Sequence, residues 1–488
     1  MKLIKKIAAI MFAFMMVLSM SCNVKAEDTE GVYGQKDGSI TITGALQGQT
    51  YTIYEMLKLE SFSENNYSYK IADGWENFFK EGADGATYMK KDENGYMSFI
   101  AGKGGDADRR EFAQKALAYA TKATGINKET KSTQVNETTV TFNGLNLGYY
   151  LVGSTTGALC GLDTTNKHVD IEEKNGVPSV DKKVYNGTDY VESNNANIGD
   201  TIFFHTTIHV KKGAQNYVLH DVLSKGLKLI TDTTTLNDSP VYVTDSDSYV
   251  LNNGNNNDYT FEKTNDGFTI TFTDTYLKSK EDKDYTLLVA YSATLTDAAV
   301  IGGEGNTNKT YLKYGVSSES APSTTTTYTF GIPVFKYTET NTALAGAKFK
   351  LYTDAQCKDE NVVKVIANGK DYVVGETDDN NNVMTSGTEA FNINGLKAGT
   401  YYLKEIEAPK GYNKLANAIK VEITNDGKVK VEKNGALTDV TQVDVENKTG
   451  TVLPSTGGAG TTMIYLVGAV LVLGSGVVLV TKRRVKGK

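Results

Sequence analysis

Three observations in the sequence predict a mainly β fold. Short runs alternate apolar and polar residues along most of the chain. The composition favours strands joined by turns, with 29 Tyr and 47 Gly in 488 residues. Helical periodicity is confined to two stretches near the start and an apolar run at the end. The expected architecture is a tandem array of β-sandwich domains, the first with helical insertions, and a single C-terminal transmembrane helix in the precursor.

Residues 1–26 read as a secretory signal peptide. Lys2, Lys5 and Lys6 form a basic start, Ile7–Met20 is apolar, and Val24-Lys25-Ala26 supplies a cleavage site after Ala26. Cys22 offers a lipoprotein alternative, but Ser19-Met20-Ser21 is a poor lipobox. The exported chain of about 430 residues carries a prior of three domains. Its formal charge of −7 includes both basic ends, so the exported part is more acidic still. That argues against nucleic acid as a partner. Only Cys160 and Cys357 survive processing. They fall in different domains, so no disulfide is expected and durability outside the cell needs another source.

The first domain is placed at 27–176. Ser39–Thr43 and Gln49–Tyr54 alternate as strands, Trp75–Phe79 and Asp106–Lys122 read as helical, and Thr139–Asn143 and Leu147–Val152 close the domain as a strand pair. The second occupies 177–330. Its strands are expected from Val180, Thr201–Val210, Tyr217–Val222, Tyr259–Phe261, Phe268–Phe272, Tyr285–Ala293 and Thr310–Val316, with no interior helix. The Asn-rich Leu251–Asp258 and the Thr run Ser323–Thr327 read as turns or linkers. The third domain spans 331–449, and 450–488 form a separate tail.

The third domain holds the sharpest internal motif. Tyr401-Tyr402-Leu403-Lys404-Glu405-Ile406-Glu407-Ala408-Pro409-Lys410-Gly411-Tyr412 resembles the E-box of Gram-positive pilins, YxLxETxAPxGY, with Ile406 in place of Thr. Val334–Tyr337, Leu344–Leu351 and Val443–Asn447 resemble the opening and closing strands of the collagen-adhesin B-type (Cna-B) domain, an immunoglobulin-like sandwich. The resemblance implies a side-chain amide between Lys336 and Asn447, promoted by Glu405. Strand parity agrees: Val334 and Lys336 share a face, as do Val443, Val445 and Asn447.

The chemistry explains the choice of residue types. An ammonium is not a nucleophile, but burial lowers a Lys pKa and raises a Glu pKa. A buried Lys–Glu pair can therefore shift its proton and free the amine. The protonated acid then polarises the carboxamide, and proximity makes the amidation a single-turnover step.

The same pattern can be traced in the second domain. Val180, Lys182 and Val184 share a strand face, and Asn308, Thr310, Leu312 and Tyr314 share another. The order resembles the collagen-adhesin A-type (Cna-A) domain, which implies a Lys182–Asn308 bond with Asp221 as the promoting acid. The opening strand of the first domain has no Lys, so no such bond is expected there.

The tail couples a short motif to a membrane-length run. Leu453-Pro454-Ser455-Thr456-Gly457 precedes the uncharged stretch 461–480 and the basic Lys482–Lys488. About 20 apolar residues span a bilayer core, and the Lys/Arg cluster stays inside. The arrangement is similar to a Gram-positive cell-wall sorting signal, cut by a sortase between Thr456 and Gly457. The resemblance implies class C and housekeeping sortases, other copies of the chain, accessory pilins and peptidoglycan as partners, with a host surface ligand unspecified. Lys174 occupies the place of the pilin lysine that accepts Thr456, although Glu172-Glu173 replaces the Tyr-Pro of that motif. Lys183 is the alternative acceptor.

The functional expectation is a structural subunit of a covalent surface pilus supporting adhesion. The alternative is a monomeric wall-anchored adhesin of the same domain type. No enzyme, cofactor or metal site is expected: His168, His205, His209 and His220 lack ligand spacing beyond His205/His209, which alternate with apolar strand residues, and no P-loop or zincin motif occurs.

Overall fold

The computed structural model describes residues 36–450 and 459–485, apart from 64–65, 104, 135–136, 155–156, 164–167, 174–175, 233–238, 255–256, 281–282, 316–317 and 376–381. The expected signal peptide, Lys174 and the motif Leu453–Gly457 lie outside the described residues. The chain separates into two compact units. One runs to Gly331 and takes in Asn394–Ala398; the other holds Ile332–Ile393 and the chain from Gly399 onward.

In the first unit, strand β1 (Gly38–Thr43) buries Ile40 and Ile42 completely. The long β2 (Thr50–Ser63) belongs to a second, five-stranded sheet. Helix α1 (Asp106–Ala120) packs Phe112, Ala113, Ala116 and Leu117 into a core with Trp75, Phe78 and Tyr88. Strand β1 lies between β3 (Thr139–Leu145), antiparallel, and β4 (His168–Glu172), parallel. The Trp75–Phe79 stretch is not a helix. It makes one turn, with the amides of Phe78 and Phe79 both donating to the Trp75 carbonyl at 3.1 and 3.2 Å. Three rings at i, i+3 and i+4 mimic a helix face in sequence, but five residues cannot repay the cost of helix nucleation.

The next part of this unit contains two sheets. One includes β5 (Ser179–Tyr185) and β6 (Thr201–Val210). The other includes β7 (Val218–Leu223) and β8 (Gly267–Phe272). A short helix, α2 (Asp274–Ser279), follows. The hydroxyl of Thr273 accepts from the Tyr276 amide at 3.3 Å and caps it. Six residues are too few to register as periodicity, which is why the sequence did not show it. Strand β9 (Tyr285–Leu295) pairs with β6, and β10 (Asn306–Tyr314) pairs with β7. The Thr run expected as linker is instead a strand, β11 (Ser323–Tyr328), antiparallel to β10. Its β-branched residues suit a pleated surface, and Thr325 and Thr327 are buried.

Gly267 permits the close pairing of β7 and β8. A Cβ there would lie 1.9 Å from the Asp221 carbonyl oxygen. Gly267→Ala should therefore lower stability by about 1–3 kcal/mol through forced strand displacement. Chemical denaturation of the purified chain reads this directly, and an unchanged midpoint would contradict the packing argument.

In the second unit, β12 (Phe330–Thr338), which enters from Phe330, runs parallel to β14 (Val443–Asn447). Both alternate strictly, so Ile332, Val334, Lys336 and Thr338 face inward together with Val443, Val445 and Asn447. Strand β13 (Gly399–Glu407) belongs to the other sheet of this unit. Gly411, in the turn after β13, has φ +91°, a conformation that glycine adopts without strain. The final element, α3 (Ala459–Val485), is 27 residues long. Its described side chains run from Tyr465 to Val478 and are exposed. Among the described residues no helix is by itself long and apolar enough to cross a membrane. The spanning reading rests on the sequence of the whole run 461–480.

Candidate isopeptide centres and wall anchor

The second-unit centre is assembled by three strands. Lys336 and Asn447 lie on adjacent parallel strands, where Lys336 registers with Val445 and Asn447 with Thr338. Glu405 comes from β13 in the facing sheet. All three are at most 2 % exposed. Asn447 Nδ2 donates to Glu405 Oε1 at 2.8 Å, and the Lys336 ammonium lies 3.9 Å from the same oxygen. Lys336 Nζ also donates to the Val445 carbonyl at 3.0 Å, while the Leu415 amide holds Glu405 Oε2 at 2.8 Å.

Two features fit amide formation. Burial lowers the Lys336 pKa to about 8, against the opposing pull of Glu405, so a neutral amine is accessible. Asn447 Oδ1 is buried without a hydrogen-bond partner, an arrangement that costs about 1–3 kcal/mol. A half-turn of the carboxamide would bring that oxygen onto Glu405, which could satisfy it only by carrying a proton. That is the polarised amide the reaction requires.

The first-unit centre uses a different layout. Lys182 projects from β5, while Asp221 on β7 and Asn308 on β10 project from the facing sheet. Lys182 Nζ donates to Asp221 Oδ2 at 2.6 Å and to the Thr206 hydroxyl at 3.3 Å. It also lies over the Phe204 ring, 5.3 Å from the centroid. Burial lowers the Lys182 pKa and raises that of Asp221, each opposed by the charge of the other. Both shifts favour the neutral pair.

One member of this centre was absent from the sequence reading. Tyr291, on β9, places its hydroxyl 2.6 Å from Lys182 Nζ, 2.7 Å from Asp221 Oδ1 and 2.6 Å from Asn308 Nδ2. The signal was weak: Tyr291 shares the inward face of β9 with Tyr285, Leu287, Val289, Ala293 and Leu295, one of two phenols among aliphatic side chains. Asn308 Oδ1, like Asn447 Oδ1, is buried and unpartnered.

The remaining sequence-derived residues are not part of these centres. Lys183 points to the outer face of β5, with Nζ 3.3 Å from Glu192 and 3.4 Å from Asp181. His205 stacks on Tyr190 with ring centroids 3.6 Å apart. His209, on the same strand, is exposed. Among the described residues no group of three or more His, Cys, Asp or Glu is placed to hold a metal ion.

Comparison with known proteins bears on the fold and on the tail. Residues 332–436 match the SpaA family, a prealbumin-like fold domain. Residues 445–487 match the LPXTG cell wall anchor motif. No curated protein matches the chain significantly. Among solved structures, the T6 backbone pilin of serotype M6 Streptococcus pyogenes aligns with a TM-score of 0.50 and 18% identity, over 85% of this chain and 94% of that one. The chain has the fold of a backbone pilin. The full-length RrgB pilus protein of Streptococcus pneumoniae aligns with a TM-score of 0.46 and 15% identity, over 87% of this chain and 100% of its own. The major pilin SpaD of Corynebacterium diphtheriae gives 0.45 and 19%, over 85% and 98%. With its anchor motif, this pilin-fold chain is a cell-wall-anchored surface protein.

Proposed function

We propose that this chain is the repeating structural subunit of a covalent surface fibre and not an enzyme. Its Thr456 is passed by a sortase to a lysine of the next copy, and the finished fibre is attached to peptidoglycan. The observation that carries this reading is the coupling of an LPXTG anchor motif to a backbone-pilin fold over 85% of the chain. Polymerisation is assigned to a class C sortase and wall attachment to the housekeeping enzyme, with accessory pilins and a host surface as further partners.

The intramolecular amides belong to the same reading. Lys336–Asn447 and Lys182–Asn308 tie strands that a pull along the chain would otherwise peel apart. This supports durability without disulfides, and unlike a disulfide an amide cannot be reduced.

Lys174 is the acceptor in this account. Wall extracts of cells carrying the native chain should give a high-molecular-weight ladder on denaturing gels. Lys174→Ala should collapse that ladder to monomer, whereas Lys183→Ala should leave it intact. A ladder that survives Lys174→Ala rejects that acceptor. No ladder from native cells would mean a monomeric adhesin.

A further inference from the structure

Given the amide-forming reading of the first-unit centre, we infer that Tyr291 is a fourth reacting residue there, relaying the proton between Asp221 and Asn308. Besides their layout, the two centres differ in how the acid meets the asparagine. Glu405 reaches its asparagine directly, at 2.8 Å. Asp221 is one methylene shorter, and its two carboxylate oxygens are engaged by Lys182 and by the Tyr291 hydroxyl. The contact to Asn308 is made by that hydroxyl, at 2.6 Å. Tyr291 thus supplies the reach that the shorter acid lacks.

Its position suits a relay. The hydroxyl oxygen touches the nucleophile, the acid and the departing group at once, at 2.6, 2.7 and 2.6 Å. The Lys182 and Asp221 side chains have no exposure, so the site is closed to bulk solvent. Burial and the adjacent carboxylate raise the Tyr291 pKa well above its ordinary value. The phenol is therefore kept protonated and passes protons on without resting as phenolate.

The Lys182 ammonium gives one proton to the Asp221 carboxylate, leaving an amine and a carboxylic acid. The amine nitrogen attacks Asn308 Cγ. Tyr291 hands its hydroxyl proton to Asn308 Nδ2 while taking the Asp221 proton. The Cγ–Nδ2 bond breaks and ammonia leaves. The attacking nitrogen returns its second proton to Asp221, which ends protonated beside a neutral amide. No outside oxidant or co-reactant is needed.

Tyr291→Phe tests this, because it removes only the hydroxyl. The full chain, purified in detergent soon after synthesis, is digested, and branched peptides joining Lys182 to Asn308 and Lys336 to Asn447 are quantified by mass spectrometry. Formation of the first should slow by about 100-fold or more, the scale of general acid–base assistance, while the second serves as an internal control and stays at its native level. Adding Asp221→Glu to Tyr291→Phe should restore the first bond, because a glutamate reaches the asparagine directly.

The outcomes separate the claims. If the native chain lacks the Lys182–Asn308 peptide, the bond itself is not formed and the underlying reading falls. If the native chain has it and Tyr291→Phe forms it equally fast, the relay alone is overturned. If Tyr291→Phe loses the bond and Asp221→Glu fails to restore it, Tyr291 acts through packing and the relay is likewise overturned.

Discussion

Glu405→Ala is expected to abolish the Lys336–Asn447 bond and to destabilise the second unit more than any other single change there. The bond would close a loop of about 110 residues, and in the chain-entropy treatment of cross-links that is worth about 4–5 kcal/mol. Losing Glu405 also strands the Lys336 ammonium, 2 % exposed, with the Val445 carbonyl as its remaining hydrogen-bond acceptor. Unfolding followed by circular dichroism should show a large drop in the second unit's midpoint, accompanied by a branched peptide that never forms. A midpoint within experimental error of the native one would contradict the cross-link.

The same centre makes a pH signature that distinguishes bonded from unbonded protein. In Asn447→Ala the lysine stays an amine. Its folded pKa is lowered to about 8, from 10.5 ordinarily. Below pH 8 both folded and unfolded chains carry the proton, and the penalty of burying the charge is full. Between about 8 and 10.5 the unfolded chain binds more protons than the folded one, so stability rises with pH. The native protein has an amide nitrogen at this position and should show no such rise. A native chain that gains stability over this window as the variant does would carry an unreacted Lys336.

Asp221→Ala should produce the second large effect. Lys182 and Asp221 side chains are both without exposure and 2.6 Å apart. Without Asp221 the bond does not form and the buried Lys182 ammonium is stranded, at about 3–5 kcal/mol, the scale for an uncompensated buried charge, and loss of the amide adds about 4–5 kcal/mol from the unfolded chain. Against total domain stabilities of about 5–15 kcal/mol, this part of the chain should lose its cooperative unfolding transition at ordinary temperature. The double variant Lys182→Met with Asp221→Leu also lacks the bond but leaves no stranded charge. It should unfold cooperatively and be the more stable of the two. Equal stability of single and double variants would contradict the buried-pair account.

Much of this was legible in the sequence because strand parity is a strong signal. Lys336 and Asn447 fall inward because every second residue of β12 and β14 does, and the E-box resemblance singled out Glu405 among many acids. Asn308 followed from the same period of two, and Asp221 from the resemblance to a Cna-A domain with its acid on an inner strand. What escaped was set by tertiary packing. Tyr291 reads in sequence as one more strand aromatic, and only the facing sheet turns its hydroxyl into a shared partner of three reacting groups. The Trp75 turn and the Ser323–Tyr328 strand depart from the sequence expectation for a related reason. A cluster of rings can be buried by one turn, and a run of Thr is equally at home in a linker or beside a partner strand. Lys174 rests on sequence position alone.

The most direct test of the account is the intact mass of the purified full chain under denaturing conditions. Two closed centres predict a mass below the sequence value by about 34 Da, two ammonia molecules, with about half that shift remaining in Glu405→Ala or in Asp221→Ala after allowing for the substitution itself. A native chain whose mass equals the sum of its residues would contradict the claim that these buried lysines and asparagines react.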